Sequence, residues 1–328
     1  MTDQESSTHP FDALTPDVIL DAVDSAGFVT DGRLMGLNSF ENRVYQVGLE
    51  DTAPVVVKFY RPQRWSDAQI LEEHAFSRFL REQELPVVAP LANDRGETLF
   101  YHAGFRFTVF PRQGGHAPEL DNADHLLVLG RTLARWHAAG NDRPFQTRPA
   151  IDITTDCRAA VDYVNQGVVD PNFSGRYRDL GGALIEAMEK RLEGASWQAI
   201  NVHGDCHTGN ILWRDDLPHF VDLDDSVRGP AMQDLWMLLS GDAEENSQQL
   251  RTLSEGYETF LPFPWEQRRL IEPLRARRML RHSAWLAQRW DDPAFPLAFP
   301  WFDSPRYWQD HINDLEQELA TMQRLLEH

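Results

Sequence analysis

The chain has 328 residues, 42% hydrophobic and 11% aromatic, with 51 acidic against 31 basic side chains and a formal charge of -20. Such a composition belongs to a globular protein able to bury a large core, and no apolar run approaches the roughly 18 residues that would suggest a membrane span. The charge argues against sequence-independent binding to nucleic acid, since a polyanion is repelled at long range, and it favours neutral or cationic substrates.

Acidity of this size also serves solubility alone. The two cysteines, Cys157 and Cys206, make neither a disulfide framework nor a zinc site, which fits a reducing compartment. Met1 to His9 are polar and acidic and show no signal-peptide pattern, so the expected location is cytoplasmic, with no nucleic-acid or membrane partner.

Residues 1–15 carry no periodic pattern and read as a loose lead-in. Thr15-Pro16-Asp17 then supplies a cap and a proline at the first helical position, opening a short helix toward Gly27. Three strand-like runs, Arg33 to Leu37, Arg43 to Leu49 and Pro54 to Tyr60, predict an antiparallel meander. Ser66 caps a helix with Ile70, Leu71, His74, Ala75, Phe79 and Leu80 at helical spacing, and Leu85-Pro86 stops it. Two further strands are expected near Glu97 to Tyr101 and Phe105 to Phe110, after which Pro111 to Gly115 reads as a linker. The expected division is a nucleotide-binding lobe over residues 1–110 and a catalytic and substrate-binding lobe over 111–328.

Helices are expected over Asp121 to Ala139, Gly175 to Leu192, Ala231 to Leu239, Gln248 to Phe260, Trp265 to Trp290 and Pro305 to Leu326. No internal repeat or low-complexity tract interrupts them. The fold class is therefore α+β, a small antiparallel-sheet lobe joined to a larger, mostly helical one.

The stretch Val202-His203-Gly204-Asp205-Cys206-His207-Thr208-Gly209-Asn210-Ile211-Leu212, followed by Phe220-Val221-Asp222-Leu223-Asp224, reads as a catalytic loop leading into a short hairpin. Asp205 and Asn210 stand five apart, like the base and the metal-binding amide of the H-R-D-x-x-x-x-N loop, and Asp222 falls where a second magnesium ligand belongs. One amide and one carboxylate suit Mg²⁺, which keeps octahedral oxygen coordination with few protein ligands. Lys58 and Lys190 are the only lysines, so a lysine inside Val55-Val56-Val57-Lys58-Phe59 calls for a reason. Its compact ammonium is not interchangeable with a guanidinium, and it is placed to hold the α and β phosphates of ATP. Glu73, in preference to its neighbour Glu72, is expected to pair with Lys58.

Taken singly, each signal has an ordinary explanation. A strand lysine snorkels to solvent, a helix glutamate faces water, and Asp205 and Asn210 serve as turn residues. His203 then braces the loop through the backbone, His207 packs near the acceptor, and Cys206 fills space. The order of all of them together points to phosphoryl transfer.

His203-Gly204-Asp205-x-His207-x-x-Asn210-Ile211-Leu212, Val221-Asp222-Leu223-Asp224 and Gln233-Asp234-Leu235 resemble the aminoglycoside phosphotransferase and choline kinase-like superfamily. Gly36 to Gln46, Val57 to Pro62 and Asn210 to Asp215 narrow the resemblance to the bacterial stress response kinase family of Ser/Thr protein kinases. That resemblance implies a protein-kinase-like bilobal fold, ATP as phosphoryl donor, Mg²⁺, a cytoplasmic monomer and transfer to protein serine or threonine. Position by position it makes Asp205 the catalytic aspartate, Asn210 and Asp222 the metal ligands, Asp222 a member of the active site as well, and Ser39 a residue of the nucleotide loop. The chain departs from ordinary protein kinases in having no G-x-G-x-x-G, in carrying His207 where a lysine is usual, and in leaving little room for an activation loop. A permanently assembled site is expected.

Trp265, Trp285, Trp290, Trp301 and Trp308 lie near the C-terminus among Phe295, Phe299 and Phe302. Aromatic rings beside carboxylates suit a cationic substrate; packing between the last helices is the plainer reading, preferred for Trp265 and Trp285 and left open for Trp301 and Phe302. A small-molecule kinase acting on an amino alcohol or aminoglycoside-like cation is the alternative function. A nucleotide-binding regulator without turnover and a metal-dependent phosphoesterase fit less well, the second because it leaves Lys58 unexplained.

Overall fold

The computed structural model describes residues 9–327. Residues 1–8 of the expected lead-in lie outside the described part, and its end is not loose: Phe11 and Leu14 are buried in the core beneath the sheet. Helix α1 (Pro16–Ser25) starts as expected, with the Thr15 hydroxyl accepting from the Val18 N–H.

Strands β1 (Thr30–Gly36), β2 (Arg43–Leu49) and β3 (Val55–Phe59) are followed by helix α2 (Asp67–Glu82), β4 (Phe100–His102) and β5 (Phe105–Pro111). They form one antiparallel sheet in the order β1-β2-β3-β5-β4. Strand alternation sends Val55, Val57 and Phe59 into a core with Val47, Phe105, Phe107, Ile19 and Val23, so Lys58, between Val57 and Phe59, faces the other side of the central strand. Ser66 and Gln69 form a reciprocal capping box at the start of α2. Strand β4 is shorter than expected because Asn93 Oδ1 accepts from the Arg95 and Glu97 N–H groups and turns that segment away from the ladder.

Helix α3 (Ala123–Asp142) precedes α4 (Ile153–Val164), which the pattern reading passed over: its buried Ile153, Cys157, Ala160, Val161 and Val164 make a short stripe capped by Asp152. Next come α5 (Ser174–Leu192), β6 (Ile200–Val202), β7 (Ile211–Arg214), β8 (Leu217–Phe220), β9 (Val227–Gly229) and α6 (Met232–Trp236). Strands β7 and β8 pair through a two-residue turn with Asp215 and Asp216 at positive φ, the expected hairpin. Helix α7 (Ala243–Tyr257) starts earlier than expected, because Asp242 and Glu245 form a capping box. The long helix expected over 265–290 is a 3₁₀ turn, Trp265–Leu270, and then α8 (Ile271–Gln288); α9 (Ala294–Ala298) and α10 (Pro305–Leu326) end the chain. Among the described residues, no helix is long and apolar enough to cross a membrane.

The chain divides into two compact units. The first runs up to Pro149 and adds Ile200–Arg228 and Met237–Phe263; it contains the five-stranded sheet, α2, α3, α7 and every candidate site residue. The second holds Ala150–Ala199, Gly229–Trp236 and the residues from Pro264 onward, a helical assembly in which α4 packs on α8 and α5 on α10. Its aromatic residues divide by burial. Trp308 and Phe302 are buried, Tyr177 meets Trp308 edge-on, and Trp285 packs against Phe295 and Phe299. Trp265 and Trp301 are exposed, so the packing preferred for Trp265 does not bury it.

Candidate active site

Lys58 is 5% exposed, and its Nζ donates to Asp222 Oδ1 at 2.8 Å while lying 3.9 Å from Asp224 Oδ1. Burial alone would push the ammonium down, but Asp222, Asp224 and Glu73 outweigh it and hold the pKa above the ordinary lysine value. The surrounding carboxylates thus favour the charged form of Lys58.

Glu73 is buried in the same cluster, but no ion pair within 4.0 Å joins it to Lys58 among the described residues; the lysine pairs with Asp222 instead. Burial pushes the Glu73 carboxyl up to about 7, against the pull of Arg148 and Lys58. Among the described residues its Oε2 has no hydrogen-bond partner, and Oε2 lies 3.9 Å from His74 Nε2. Glu72 points elsewhere. Its Oε2 accepts from the N–H groups of Thr147 and Arg148, both at 2.9 Å, and its Oε1 accepts from the Gln146 N–H. Burial would raise this carboxyl, but the bonds from Thr147, Gln146 and Arg148 hold it below the usual carboxylate range. Gln69 Nε2 donates to the Thr147 carbonyl, and Arg148 Nε donates to the Gln69 carbonyl, so helix α2 is fastened to the 146–148 segment on both edges.

The hub of the cluster is Asp224, 2% exposed. Its Oδ2 accepts from Arg64 Nη1 at 2.6 Å and from Asn42 Nδ2 at 3.1 Å. Burial would raise this carboxyl, yet Arg64, Lys58 and Arg148 keep it well below the ordinary aspartate value. Arg64 also reaches Asp225 Oδ1 at 2.6 Å. Arg148 Nη1 donates to the carbonyls of Asp224 and Ser226 at 2.9 and 2.8 Å, with its guanidinium 4.5 Å over the Trp65 ring.

Asn42 carries the hub to the β1–β2 loop. Its Oδ1 accepts from the Arg61 N–H at 3.0 Å, its carbonyl accepts from the Ser39 hydroxyl at 3.0 Å, and Arg43 and Arg61 donate to the Phe40 and Glu41 carbonyls. The Ser39 hydroxyl proton is therefore engaged inside its own loop, and a phosphate contact from it requires that hydrogen to turn.

The catalytic-loop stretch follows β6. Gly204 has φ +84°, and a Cβ there would lie 2.1 Å from the Asp225 carbonyl oxygen, so only glycine permits this crossing. His203, fully buried, donates from Nε2 to the Val221 carbonyl at 3.0 Å and braces the loop as the sequence suggested. Asn210 Nδ2 donates to the Asp205 carbonyl at 2.9 Å, and the Val221 N–H donates to the Asn210 carbonyl at 3.0 Å. Asp205, Asn210 and Asp222 are thereby drawn to one end of the β7–β8 hairpin. Asp222 adopts the left-handed region, φ 58° and ψ 63°, an unfavourable conformation for a non-glycine residue that is concentrated at functional sites.

The donor set fits a hard divalent cation. With the Asn210 amide nitrogen turned to the Asp205 backbone, its Oδ1 faces the other way, and Asp222 is about half exposed beside Lys58. Among the described residues, no cluster of three His, Cys, Asp or Glu side chains forms an all-protein metal cage.

Residues 34–271 match the model of the phosphotransferase enzyme family. The chain belongs to that family. Within it the chain is 45% identical over 309 residues to stress response kinase A of Escherichia coli (strain K12), covering 92% of both chains. It is 46% identical over 305 residues to serine/threonine protein kinase RdoA of Salmonella typhimurium (strain LT2), covering 91% of this chain and 90% of that one. In three dimensions it is similar to an amicoumacin kinase solved with AMP-PNP, Ca²⁺ and Ami, with a TM-score of 0.69, 17% identity and coverage of 91% and 93%. The family fold matches the expected class, a small antiparallel sheet in the N-terminal part and a mostly helical C-terminal part.

For a member of this family, the residues that sequence reading missed are Asn42, Arg64, Arg148 and the structural use of Asp224 and Glu72. Arg64 and Arg148 were two arginines among many. The only available signal was Asp224 standing two residues after Asp222 in a buried apolar context.

Proposed function

We propose that the protein is an ATP- and Mg²⁺-dependent kinase that phosphorylates serine or threonine of proteins in a bacterial stress response, acting in the cytoplasm as a monomer. In this reading residues 1–110 bind the nucleotide and 111–328 carry the catalytic loop and the acceptor site. The observation that carries it is the convergence of Asp205, Asn210 and Asp222 on one hairpin end with the buried Lys58 ammonium 2.8 Å from Asp222.

The acceptor hydroxyl oxygen attacks the γ phosphorus of ATP, the bond to the bridging oxygen breaks, and ADP leaves with the electron pair. The hydroxyl proton passes to the Asp205 carboxylate. Lys58 holds the α and β phosphates, exchanging part of its contact with Asp222 for phosphate oxygens while Asp224 remains beside it. Asn210 and Asp222 would hold the divalent cation, whose charge would neutralise the phosphates. The buried Glu73 carboxylate adds to the field that favours the Lys58 ammonium, and the Ser39 loop lies over the nucleotide. Fastening of α2 to residues 146–148 supports a site assembled without an activation step.

A small-molecule kinase is the second reading, favoured by the exposed Trp301 in an acidic protein and by the small-molecule acceptor of the amicoumacin kinase of the same fold. Incubation with labelled ATP, dephosphorylated casein and a panel of hydroxylated amines separates the two. Label in protein serine and threonine is the expected result, and label confined to the amines would overturn it.

A further inference from the structure

We infer that His207 is a positioning residue for Asp205, and that Gly209 is glycine because the imidazole folds back over it. The inference rests on the kinase reading of Asp205 given above. His207 caps the short 3₁₀ turn at Thr208–Asn210, its Nδ1 accepting from the Gly209 N–H at 2.9 Å. An accepting Nδ1 carries no proton, so in the neutral ring the proton is on Nε2. That Nε2 lies 3.3 Å from Asp205 Oδ2. The Asn210 amide donates to the same oxygen at 3.4 Å, so the amide and the imidazole edge flank one side of the carboxylate and leave the other to the acceptor hydroxyl. Both approaches are long, as contacts around a catalytic base are before substrate arrives.

The same ring position also takes up the space over Gly209. A Cβ built on Gly209 would lie 2.7 Å from His207 Cε1 and 2.9 Å from Nδ1, closer than such atoms approach. Gly209 does not have a positive φ, so its backbone would accept alanine were the ring absent. A side chain at 209 would have to push the imidazole aside, so the His-x-Gly spacing leaves the ring room to rest against Asp205. His207 is 40% exposed at the side chain, so it contributes little to the core, and a purely structural role predicts little effect of removing it.

The test measures kcat and KM for ATP with a phosphorylatable protein acceptor for the full-length protein and four variants: His207→Ala, His207→Gln, Gly209→Ala, and His207→Ala combined with Gly209→Ala. Asp205→Asn serves as the reference. Loss of base orientation is expected to lower kcat by about tenfold or more in His207→Ala while KM for ATP stays within about twofold. His207→Gln, which retains an N–H donor of similar reach, is expected to recover most of that loss. Gly209→Ala should fall with His207→Ala, and the double variant should be no worse than His207→Ala alone, because alanine at 209 is harmful only while the ring is present. Wild-type kcat in His207→Ala, or multiplied losses in the double variant, would overturn the assignment. Wild-type turnover in Asp205→Asn would instead overturn the reading of the site on which it rests.

Discussion

Asp224 and Asp225 are adjacent carboxylates on the same arginine, and they should respond very differently to neutralisation. Asp224→Asn keeps the shape of the side chain but removes its charge from a position only 2% exposed, where it faces Arg64 at 2.6 Å and Lys58 at 3.9 Å. Breaking a buried ion pair from one side typically costs about 3–5 kcal/mol, because the remaining cation stays buried. Here Arg64 keeps Asp225 at 2.6 Å and Lys58 keeps Asp222 at 2.8 Å, so the lower end applies. The expected loss is about 3 kcal/mol, a large share of the roughly 5–15 kcal/mol that holds a domain folded. Asp225→Asn, with the side chain half exposed, should cost less than about 1 kcal/mol. Equilibrium urea unfolding followed by tryptophan fluorescence at pH 7 compares the two variants under one set of conditions. Equal losses, or a loss below about 1 kcal/mol for Asp224→Asn, would refute the assignment of Asp224 as the charge hub.

Glu72→Ala removes the acceptor of three backbone N–H groups, and a loss of about 2–3 kcal/mol with faster amide exchange at Thr147 and Arg148 is expected; unchanged exchange there would show that the latch is not the Glu72 carboxylate. Glu73 has a folded pKa of about 7 against an ordinary 4.5, so the folded state binds the extra proton in between, and its contribution to stability is full below about 4.5 and lost as pH rises through 7. That window corresponds to about 3 kcal/mol, and Glu73→Gln should flatten the stability profile between pH 5 and 7.5; an unchanged slope would rule the group out as its source. Glu318 behaves the same way in the helical unit, where burial and the Glu272 charge push it up to about 8, so Glu318→Gln should stabilise the protein at pH 8.5 and leave it unchanged near pH 4, as read by thermal unfolding. Phosphatase treatment of the purified protein should leave turnover unchanged, since α2 is fastened without a phosphorylated segment; a large loss of activity would contradict this.

Much of the sheet was legible because strand alternation and capping are local. Val55, Val57 and Phe59 on one face announced both the strand and the exceptional position of Lys58 on the other. The loop residues were legible through order and spacing, which a sequence displays directly. The partner of Lys58 was not, because ion pairing depends on which carboxylate the fold brings nearest: Glu73 was the expectation, and Asp222 at 2.8 Å is the contact. Arg64 and Arg148 were invisible for the same reason, since their partners lie 160 and 76 positions away along the chain. Helix α4 escaped because its stripe is short and made partly of small residues such as Ala160 and Cys157. The lead-in misled in the opposite direction: Phe11 stacks on Phe105, a contact no periodicity over residues 1–15 could reveal.

The central claim is that Asp205 handles the acceptor proton while Asp222 and Asn210 hold the metal–nucleotide. The direct measurement is single-turnover phosphoryl transfer to protein, alongside binding of a non-hydrolysable ATP analogue in Mg²⁺, for Asp205→Ala and Asp222→Ala. Transfer should fall by about 10²–10⁴-fold in Asp205→Ala with analogue binding within a few-fold of wild type, whereas Asp222→Ala should lose both. Transfer near the wild-type rate in both variants would contradict the account.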